Sequence, residues 1–359
     1  MNSLLFATVL FLAATNGAND NFKGVATLYG SRIAGYWTSL IFASAATLAG
    51  ALCSFYLAKT LLVAFTGKGL VTAAVSGQGE FALSVAGGAA LTVALAAWRG
   101  LPISTTHALV GAMSGAALVA LGRGVHFETL GASFLLPLVA SPIVAIVPAW
   151  AIAKLLPHPA TPKDPICVCV SDGATALAGG AILSGSAQIV ANRTSVCGAQ
   201  GARPLFQPDT RRLVNAMQFM LAGTVSFARG LNDTPKIAAL LLPVAALDVK
   251  GSICAVAIAM LIGAMLGASR VARTMSYGIA TLHLPSALSA SLVTGLLVGT
   301  ASVSGLPVST THVSVGALVG GGSAAGGVNR STLKAIVAAW LITLPTAAIF
   351  GASVYLLVH

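Results

Sequence analysis

The sequence predicts an all-α polytopic membrane protein of two inverted-topology repeats, with broken helices, re-entrant hairpins and about 10–12 membrane segments. Composition is the first observation behind this prediction, because 57% of the residues are hydrophobic, 8% are charged and the mean hydropathy is +0.92. Soluble domains carry roughly 25% charged residues. The second observation is that two short motifs each occur twice in the 359 residues. The apolar runs are continuous rather than alternating, which favours helices over strands.

The basic residues indicate how the chain is oriented. Of the 19 Lys and Arg, six lie between Lys154 and Arg212, whereas residues 1–22 and 335–359 contain none. The positive-inside rule therefore predicts a cytoplasmic central segment and both termini outside. We expect a multi-pass protein of the plasma (inner) membrane. Each half then crosses the bilayer an odd number of times, so the halves are inverted relative to each other. The expected division is a membrane repeat at 1–156, a cytoplasmic linker at 157–212 and a second membrane repeat at 213–359.

Apolar runs of about 20 residues place the membrane segments along the chain. In the first half we expect a helix at 3–30 broken at 15–20, a shorter segment at 61–75, a re-entrant hairpin ending at 121, and spans at 35–58, 81–98 and 129–155. In the second half we expect segments at 213–228, 235–247, 251–268, 271–282, 286–301, 307–322 and 333–357. The linker stretch 172–187 fits either a surface helix or a strand pair.

One duplicated motif is LPISTTHALVGA at 101–112, which returns as LPVSTTHVSVGA at 306–317 with nine of twelve residues unchanged. Proline at a helix start, followed by serine and two threonines, presents hydroxyls and unpaired backbone N–H groups at the positive end of the helix dipole. Such an end can hold a tetrahedral oxyanion without an arginine. The candidate anion ligands are Ser104, Thr105, Thr106, Ser309, Thr310 and Thr311. Ordinary helix capping with close packing of small residues is the alternative.

The other duplicated motif is GANDNFKG at 17–24 and GLNDTPKI at 230–237, which contains two of the eight acidic residues of the chain. An ionised carboxylate in apolar surroundings is usually paired and functional. Gly17 and Gly230 predict that the backbone leaves the helix just before each Asn-Asp pair and frees carbonyl groups. Helix capping by Asn and Asp is the alternative. The candidate cation ligands are Asn19, Asp20, Asn232 and Asp233, whose oxygens suit a Na⁺ ion.

His107 and His312 end the Ser-Thr-Thr-His segments in the two copies. Each is a candidate for orienting the hydroxyls or carrying a proton, and a packing histidine is the equally open alternative. A membrane hydrolase with Ser104 or Ser309, a histidine and an aspartate is a candidate from another class. No nucleophile elbow is present, and a channel or scaffold is a further alternative. Concentrative uptake separates these classes from a transporter, and we expect no enzyme.

Together the motifs resemble those of the inorganic phosphate transporter (PiT) family, which is marked by GAND, a second ND and a duplicated P-[IV]-S-T-T-H. The resemblance covers both halves. It implies a secondary active symporter of inorganic phosphate with alternating access around a midplane site. In that family the two hairpin tips bind phosphate and the ND segments bind coupling Na⁺ ions. The resemblance therefore assigns the six hydroxyl residues to the anion and the four Asn and Asp residues to the cation.

The sequence departs from the family after each ND. The family usually continues GAND with small residues, as in GANDVANA, whereas this chain places Lys23 and Lys236 three residues after Asp20 and Asp233. An i,i+3 spacing on a helix brings each ammonium beside its carboxylate. We predict that one or both lysines occupy the position of a coupling Na⁺, so that transport is H⁺-linked or less Na⁺-dependent, and a buried lysine can itself carry the proton. Direct contact with the anion and snorkelling to the surface are the alternatives.

The sequence identifies the substrate less specifically than it identifies the fold, because sulfate or another tetrahedral oxyanion also fits hydroxyls at helix starts. Phosphate at neutral pH can donate a proton to a carboxylate and sulfate cannot, which favours phosphate. A homodimer is one option for the assembly. The net charge of +11 comes from scattered residues without a basic run, which argues against nucleic acid as a partner. No ATP-binding motif is present, and we expect no cofactor other than the coupling Na⁺ or H⁺.

The cysteines predict no further site. Their number, five, is odd, and they lack the spacing of zinc ligands. We therefore expect no disulfide framework and no metal beyond Na⁺. The five are Cys53, Cys167, Cys169, Cys197 and Cys254.

Overall fold

The computed structural model describes residues 1–67, 70–156, 166–171, 174–176, 182–184, 188–199, 203–206, 210–244 and 247–359. The chain divides into two units by its internal contacts. The first joins Met1–Leu156 with Gln218–His359, and the second is Pro157–Met217. The repeat boundaries predicted from the sequence stay a prediction.

The helices before residue 157 are α1 (Asn2–Asp20), α2 (Ala26–Gly30), α3 (Tyr36–Leu57), α4 (Lys59–Ala64), α5 (Ala73–Ser76), α6 (Gly79–Arg99), α7 (Thr105–Leu121), α8 (Phe127–Thr129) and α9 (Leu136–Leu155). The later helices are α10 (Thr194–Ala199), α11 (Thr210–Ala238), α12 (Val249–Gly267), α13 (Ser269–Arg273), α14 (Leu284–Val303), α15 (Thr310–Ala324) and α16 (Arg330–Val358). Short 3₁₀ turns cover Asn21–Lys23, Gly122–Gly124 and Ala239–Leu241, and π-helical turns cover Leu130–Leu135 and Thr274–Gly278.

In the described part of the chain, six helices are long and apolar enough to cross a membrane. They are Tyr36–Leu57, Gly79–Arg99, Leu130–Leu155, Val249–Gly267, Leu284–Val303 and Arg330–Val358. Crossing takes about 20 apolar residues. Two predicted segments are shorter than expected: 61–75 contains parts of α4 and α5, and 271–282 contains part of α13 and a π-helical turn.

The two duplicated motifs lie on four other helices. The ND segments belong to α1 and α11, and the STTH segments begin α7 and α15. Before each STTH helix, an apolar helix ends at a glycine with positive φ, Gly100 (φ 70°) or Gly305 (φ 73°), and an extended Leu-Pro loop follows. A glycine adopts this left-handed conformation without a Cβ clash. Each STTH segment is therefore the second arm of a helix–loop–helix.

The predicted helix break before each ND pair is wrong. Helix α1 continues through Asp20, and α11 continues to Ala238, so the predicted separate segment at 235–247 begins inside α11. The glycines serve close packing instead. A Cβ on Gly17 would lie 1.9 Å from the Met260 carbonyl oxygen of α12, and a Cβ on Gly230 would lie 2.1 Å from the Thr47 oxygen of α3. A glycine in a helix is compatible with either a break in the helix or a close approach of a neighbouring backbone, and at Gly17 and Gly230 it allows the close approach.

The described residues of the second unit form five strands, β1 (Ile166–Ser171), β2 (Ala174–Ala176), β3 (Ile182–Ser184), β4 (Gln188–Arg193) and β5 (Arg203–Phe206). They form an antiparallel sheet in the order β4-β1-β5 and a β2–β3 pair, so the stretch that fitted a helix or a strand pair contains the pair. Cys169 and Cys197 form a disulfide, which the odd number of cysteines did not predict. The chain folds α10 onto β1, and that contact cannot be seen from cysteine spacing.

Candidate functional site

Lys23 is the centre of the polar cluster in the first copy. It lies one turn beyond the end of α1 and is 4% exposed. Its Nζ donates to Asp20 Oδ1 at 2.5 Å, to Asn19 Oδ1 at 3.1 Å and to the Ile103 carbonyl oxygen at 2.8 Å. It also donates to the Thr311 hydroxyl. A carboxylate, an amide oxygen, a carbonyl oxygen and a hydroxyl therefore surround one ammonium group.

Lys236 is held more loosely in the second copy. It is 1% exposed, and its Nζ donates to Thr106 Oγ1 at 2.9 Å and to the Val308 carbonyl oxygen at 2.8 Å. Its distance to Asp233 Oδ1 is 3.8 Å, which is too long for a hydrogen bond. Both lysines are buried, so the snorkelling alternative is wrong.

Each of the two lysines bonds a threonine of the opposite half. Lys23 follows the first ND and bonds Thr311 of the second STTH segment, whereas Lys236 follows the second ND and bonds Thr106 of the first. The threonine hydroxyls also bond the opposite loop, with Thr311 Oγ1 2.6 Å from the Ile103 oxygen and Thr106 Oγ1 3.4 Å from the Val308 oxygen. These bonds bring the starts of α7 and α15 together.

The remaining predicted anion ligands surround the same helix starts, and all are buried. Ser104 and Ser309 cap their helices by accepting from the His107 and His312 backbone N–H at 3.1 and 3.2 Å. The alternative of helix capping therefore holds for the serines, although capping leaves each hydroxyl proton free to donate. Thr105 accepts from Asn16 Nδ2 at 2.9 Å. Thr310 is 4% exposed at the first position of α15.

The asparagines of the ND pairs tie each helix to the loop before its own STTH segment. Asn19 Nδ2 donates to the Leu101 oxygen at 2.9 Å, and Asn232 Nδ2 donates to the Val308 oxygen at 3.3 Å. Asn232 Nδ2 also donates to Asp233 Oδ1 at 3.0 Å. The two motifs of each half, far apart in sequence, therefore meet in the folded protein.

The histidines lie where the two STTH segments meet. The ring centroids of His107 and His312 are 4.5 Å apart, and the His312 ring also lies 3.9 Å from the ring of Trp340. His312 Nδ1 is 2.9 Å from the Leu138 oxygen, whereas His107 Nδ1 has no hydrogen-bond partner in the described residues. Both rings line an apolar cavity of about 590 Å³. Packing accounts for both positions, and the orienting and proton-carrying roles stay predictions.

Arg229 is the central residue that the sequence reasoning missed. It is 1% exposed, and its guanidinium donates to Asn16 Oδ1 at 2.6 Å and to Asn21 Oδ1 at 3.0 Å. Its Nε lies 3.7 Å from Asp233 Oδ2. The available signal was an arginine inside an apolar run, which is costly unless it is paired. Duplication does not mark this residue, because Asn16 stands at the equivalent position of the first copy.

The cluster has an excess of positive charge. Among the residues that the structure describes, two carboxylates, Asp20 and Asp233, face three cationic groups, Lys23, Arg229 and Lys236, and all five side chains are buried. Buried charges usually occur in pairs. One uncompensated positive charge beside two helix N-termini and several hydroxyls is an environment suited to an anion.

A helical membrane unit with a buried polar centre built from duplicated motifs defines a membrane transport protein. The sequence pattern of the phosphate transporter family matches residues 16–351, so the chain belongs to that family. Its family and its relatives are transporters, which confirms that the protein is not an enzyme.

Similar proteins cover nearly the whole chain. A "probable low-affinity inorganic phosphate transporter" of Mycobacterium bovis is 26% identical over 99% of this chain and 77% of its own length. A Bacillus subtilis protein with the same description is 25% identical over 100% of this chain and 99% of its own length. The chloroplastic "inorganic phosphate transporter 2-1" of Arabidopsis thaliana is 28% identical over 96% of this chain and 70% of its own length.

A solved structure has the same fold. It is described as "the sodium-dependent phosphate transporter", and it matches with a TM-score of 0.77 and 24% identity over 99% of this chain and 98% of that one. The predicted class, a helical multi-pass membrane protein, is thereby confirmed. The inverted orientation of the two repeats stays a prediction.

Proposed function

We propose that the protein transports inorganic phosphate across a membrane as a secondary transporter, with alternating access around the buried centre. The observation that carries the proposal is the meeting of the two STTH helix starts beside an excess positive charge. Hydroxyls and unpaired N–H groups at two helix N-termini suit a tetrahedral oxyanion. The relatives are described as phosphate transporters, which supports phosphate as that anion.

In this proposal Lys23 takes the place of a coupling cation. Its four acceptors are oxygens of the types that a hard cation prefers. An ammonium group has three N–H donors, and the four acceptors leave none free for another ligand. A covalently held cation cannot be carried across the membrane, so it cannot couple transport to a Na⁺ gradient. We therefore assign the driving force to H⁺, with Na⁺ less important or unnecessary.

Lys236 has the different role of contacting the anion. Its ammonium has two hydrogen-bond acceptors for three donors, and Asp233 lies beyond hydrogen-bond distance. The third donor is therefore available for an anion next to Thr106. The lysine alternatives thus divide between the two copies: the cation substitute fits Lys23, and direct anion contact fits Lys236.

Asp233 favours phosphate over sulfate. Its Oδ2 is buried and has no hydrogen-bond partner in the described residues. Phosphate at neutral pH still carries a proton and can donate it to such an oxygen, whereas sulfate has no proton to donate. Sulfate brought to this carboxylate would leave a buried acceptor unpaired, which costs about 1–3 kcal/mol. Sulfate remains the second candidate substrate.

We further propose a cytoplasmic linker, termini outside the plasma (inner) membrane, and inverted repeats. Supporting this, six of the 19 basic residues lie between Lys154 and Arg212. Accessibility of Lys154 and of the amino terminus to an impermeant reagent in right-side-out vesicles tests the orientation.

We also propose that the protein assembles as a homodimer, and light scattering of the purified protein tests this assembly.

The main experiment is uptake of radiolabelled phosphate into proteoliposomes that contain purified protein. An inward pH gradient and an inward Na⁺ gradient are imposed separately, each with and without excess sulfate. We expect concentrative uptake that follows the pH gradient and resists sulfate. Uptake that requires Na⁺ would contradict the assignment of Lys23, and sulfate inhibition would contradict the role of Asp233. Absence of concentrative uptake would favour a channel or scaffold.

Variants test the two lysines separately. We expect Lys23→Ala to gain Na⁺ dependence, because a free ion can enter the oxygen site that the ammonium leaves. We expect Lys236→Ala to keep its ion dependence and to raise the KM for phosphate. Lys334→Ala, on an exposed part of α16, is the matched control. Unaltered ion dependence and uptake in the Lys23→Ala, Lys236→Ala double variant would refute both roles.

A further inference from the structure

Three cysteine sulfurs lie together in the second unit. Cys167 Sγ is 3.6 Å from Cys169 Sγ and 2.9 Å from Cys197 Sγ, and Cys169 and Cys197 are joined by the disulfide. The three side chains are at most 3% exposed and form a cluster of their own. Neither the family resemblance nor the proposed phosphate site uses them.

The backbone explains why three sulfurs meet. Cys167 and Cys169 are two residues apart on β1, and alternate residues of a strand point to the same face. That face is covered by α10, which carries Cys197. Two ligands on a central strand and one on a packed helix make a preorganised set, because none of the three depends on a long loop.

We propose that the reduced cluster is a three-thiolate site for a soft metal ion, with Cu⁺ as the ion that fits best. Thiolates select Cu⁺, Zn²⁺ and iron–sulfur clusters over harder metals. Structural zinc sites take four protein ligands, and within the described residues the cluster offers three from Cys, His, Asp and Glu. Cu⁺ accepts three sulfurs in a trigonal arrangement. Sulfurs around one metal at about 2.3 Å lie about 4 Å apart, whereas Cys167 Sγ is 3.6 and 2.9 Å from the other two sulfurs, which are bonded to each other. The sulfurs therefore need to separate only slightly, once the disulfide is reduced, to surround one ion.

Metal binding requires the disulfide to open. A dithiol reductant supplies two electrons and two protons, becomes a disulfide itself, and leaves Cys169 and Cys197 as thiols. Cu⁺ then binds the three thiolates and releases the three thiol protons. In a reducing compartment the thiol form dominates, and there a cluster of cysteines is more often a metal site than a disulfide framework.

Anaerobic titration of the full-length purified protein with Cu⁺, against a Cu⁺-specific chelator, tests the proposal. We expect the reduced protein to bind one Cu⁺ per chain and to gain the ultraviolet absorption of a Cu⁺–thiolate bond. We expect the oxidised protein to bind none, because two of its three ligands are joined. This measurement needs no variant and so does not depend on how well a variant folds.

Variants identify the ligands. Cys167→Ser leaves the disulfide pair intact and should weaken Cu⁺ binding by more than the roughly 10–100-fold that loss of an outer partner costs. Cys53→Ser and Cys254→Ser, which replace free cysteines of the first unit, are the matched controls and should bind as the wild type does. Equal affinity in Cys167→Ser and the wild type would overturn the site. Stoichiometric Zn²⁺ binding without Cu⁺ binding would overturn the choice of metal.

Discussion

Lys23 and Lys236 stand at equivalent positions in the two halves, but their surroundings differ. Lys23 bonds four acceptors, including Asp20 at 2.5 Å, whereas Lys236 bonds two and lies 3.8 Å from Asp233. Both lysines reach a threonine of the opposite half. Duplication therefore preserved the positions of the charged groups while the strength of each ion pair changed.

Arg229 explains part of the difference. In the second copy its guanidinium lies beside Asp233, so that carboxylate faces two cations, whereas Asn16 at the equivalent position of the first copy is neutral. Asp20 is left to Lys23. A change from amide to guanidinium at one position thus converts one of two similar ion pairs into a three-membered group with a net positive charge.

The largest effect is expected from Arg229→Met. Removing the guanidinium takes one of two cations from Asp233 and leaves the buried Asn16 and Asn21 Oδ1 atoms without their charged donor. Each such acceptor costs about 1–3 kcal/mol of the free energy of unfolding, so the two losses add. Asn16→Leu removes the neutral counterpart and should cost about 1–3 kcal/mol. Denaturant unfolding in detergent measures both. Arg330→Met, at an exposed position, is the control, and equal losses at residues 229 and 16 would contradict the comparison.

Substitutions of the two lysines should also differ in how much free energy of unfolding they cost. Lys23→Met leaves Asp20 without its paired cation and should cost about 3–5 kcal/mol. Lys236→Met breaks two hydrogen bonds while Arg229 remains beside Asp233, so we expect about 1–3 kcal/mol. The unfolding midpoints of the two variants are compared under one set of conditions, with Lys334→Met as the control. Similar midpoints would mean that the short Lys23–Asp20 contact adds no stability.

The glycines of the ND motifs should behave alike. Gly17→Ala and Gly230→Ala each place a Cβ within about 2 Å of a backbone oxygen of a neighbouring helix. Such overpacking costs about 1–3 kcal/mol. Gly131→Ala is the control, since no atom lies within 4 Å of a Cβ built there. A thermal-stability assay in detergent measures all three variants. A Gly17→Ala variant as stable as the wild type would contradict the close contact of α1 with α12 and would favour the helix break that the sequence predicted.

The smallest effect is expected at the serine caps. Ser104→Ala and Ser309→Ala each remove one N-cap acceptor, which costs about 1 kcal/mol. The same variants separate capping from anion binding, because loss of a cap alone leaves the KM for phosphate unchanged. Ser304→Ala, on an exposed turn, is the control. A loss of stability in only one copy would show that the two helix starts are not equivalent.

Much of the polar centre could be predicted from the sequence, because duplication marks it. The STTH hydroxyls, both Asn-Asp pairs and both lysines meet in the folded protein, and the i,i+3 spacing correctly placed Lys23 beside Asp20. The helical membrane class followed from composition. These predictions rest on local spacing and on apolar content, which a sequence states directly.

Other features depend on contacts that a sequence does not state. Gly17 suits a helix break and a close helix contact equally well, and only the position of α12 decides between them. Arg229 has no duplicate, so its bonds to Asn16 and Asn21 were not foreseen. The sulfur cluster joins a strand to a helix that follows it, and spacing alone could not pair Cys169 with Cys197.

The crossed bonds between Lys23 and Thr311, and between Lys236 and Thr106, have a consequence for evolution. A replacement in one copy changes the environment of a residue in the other, because contacting residues are energetically coupled. Selection therefore acts on pairs that span the ancestral duplication, and neither copy can drift alone. Among descendants of this lineage, loss of the lysine at 23 should be accompanied by change at 311, and loss at 236 by change at 106.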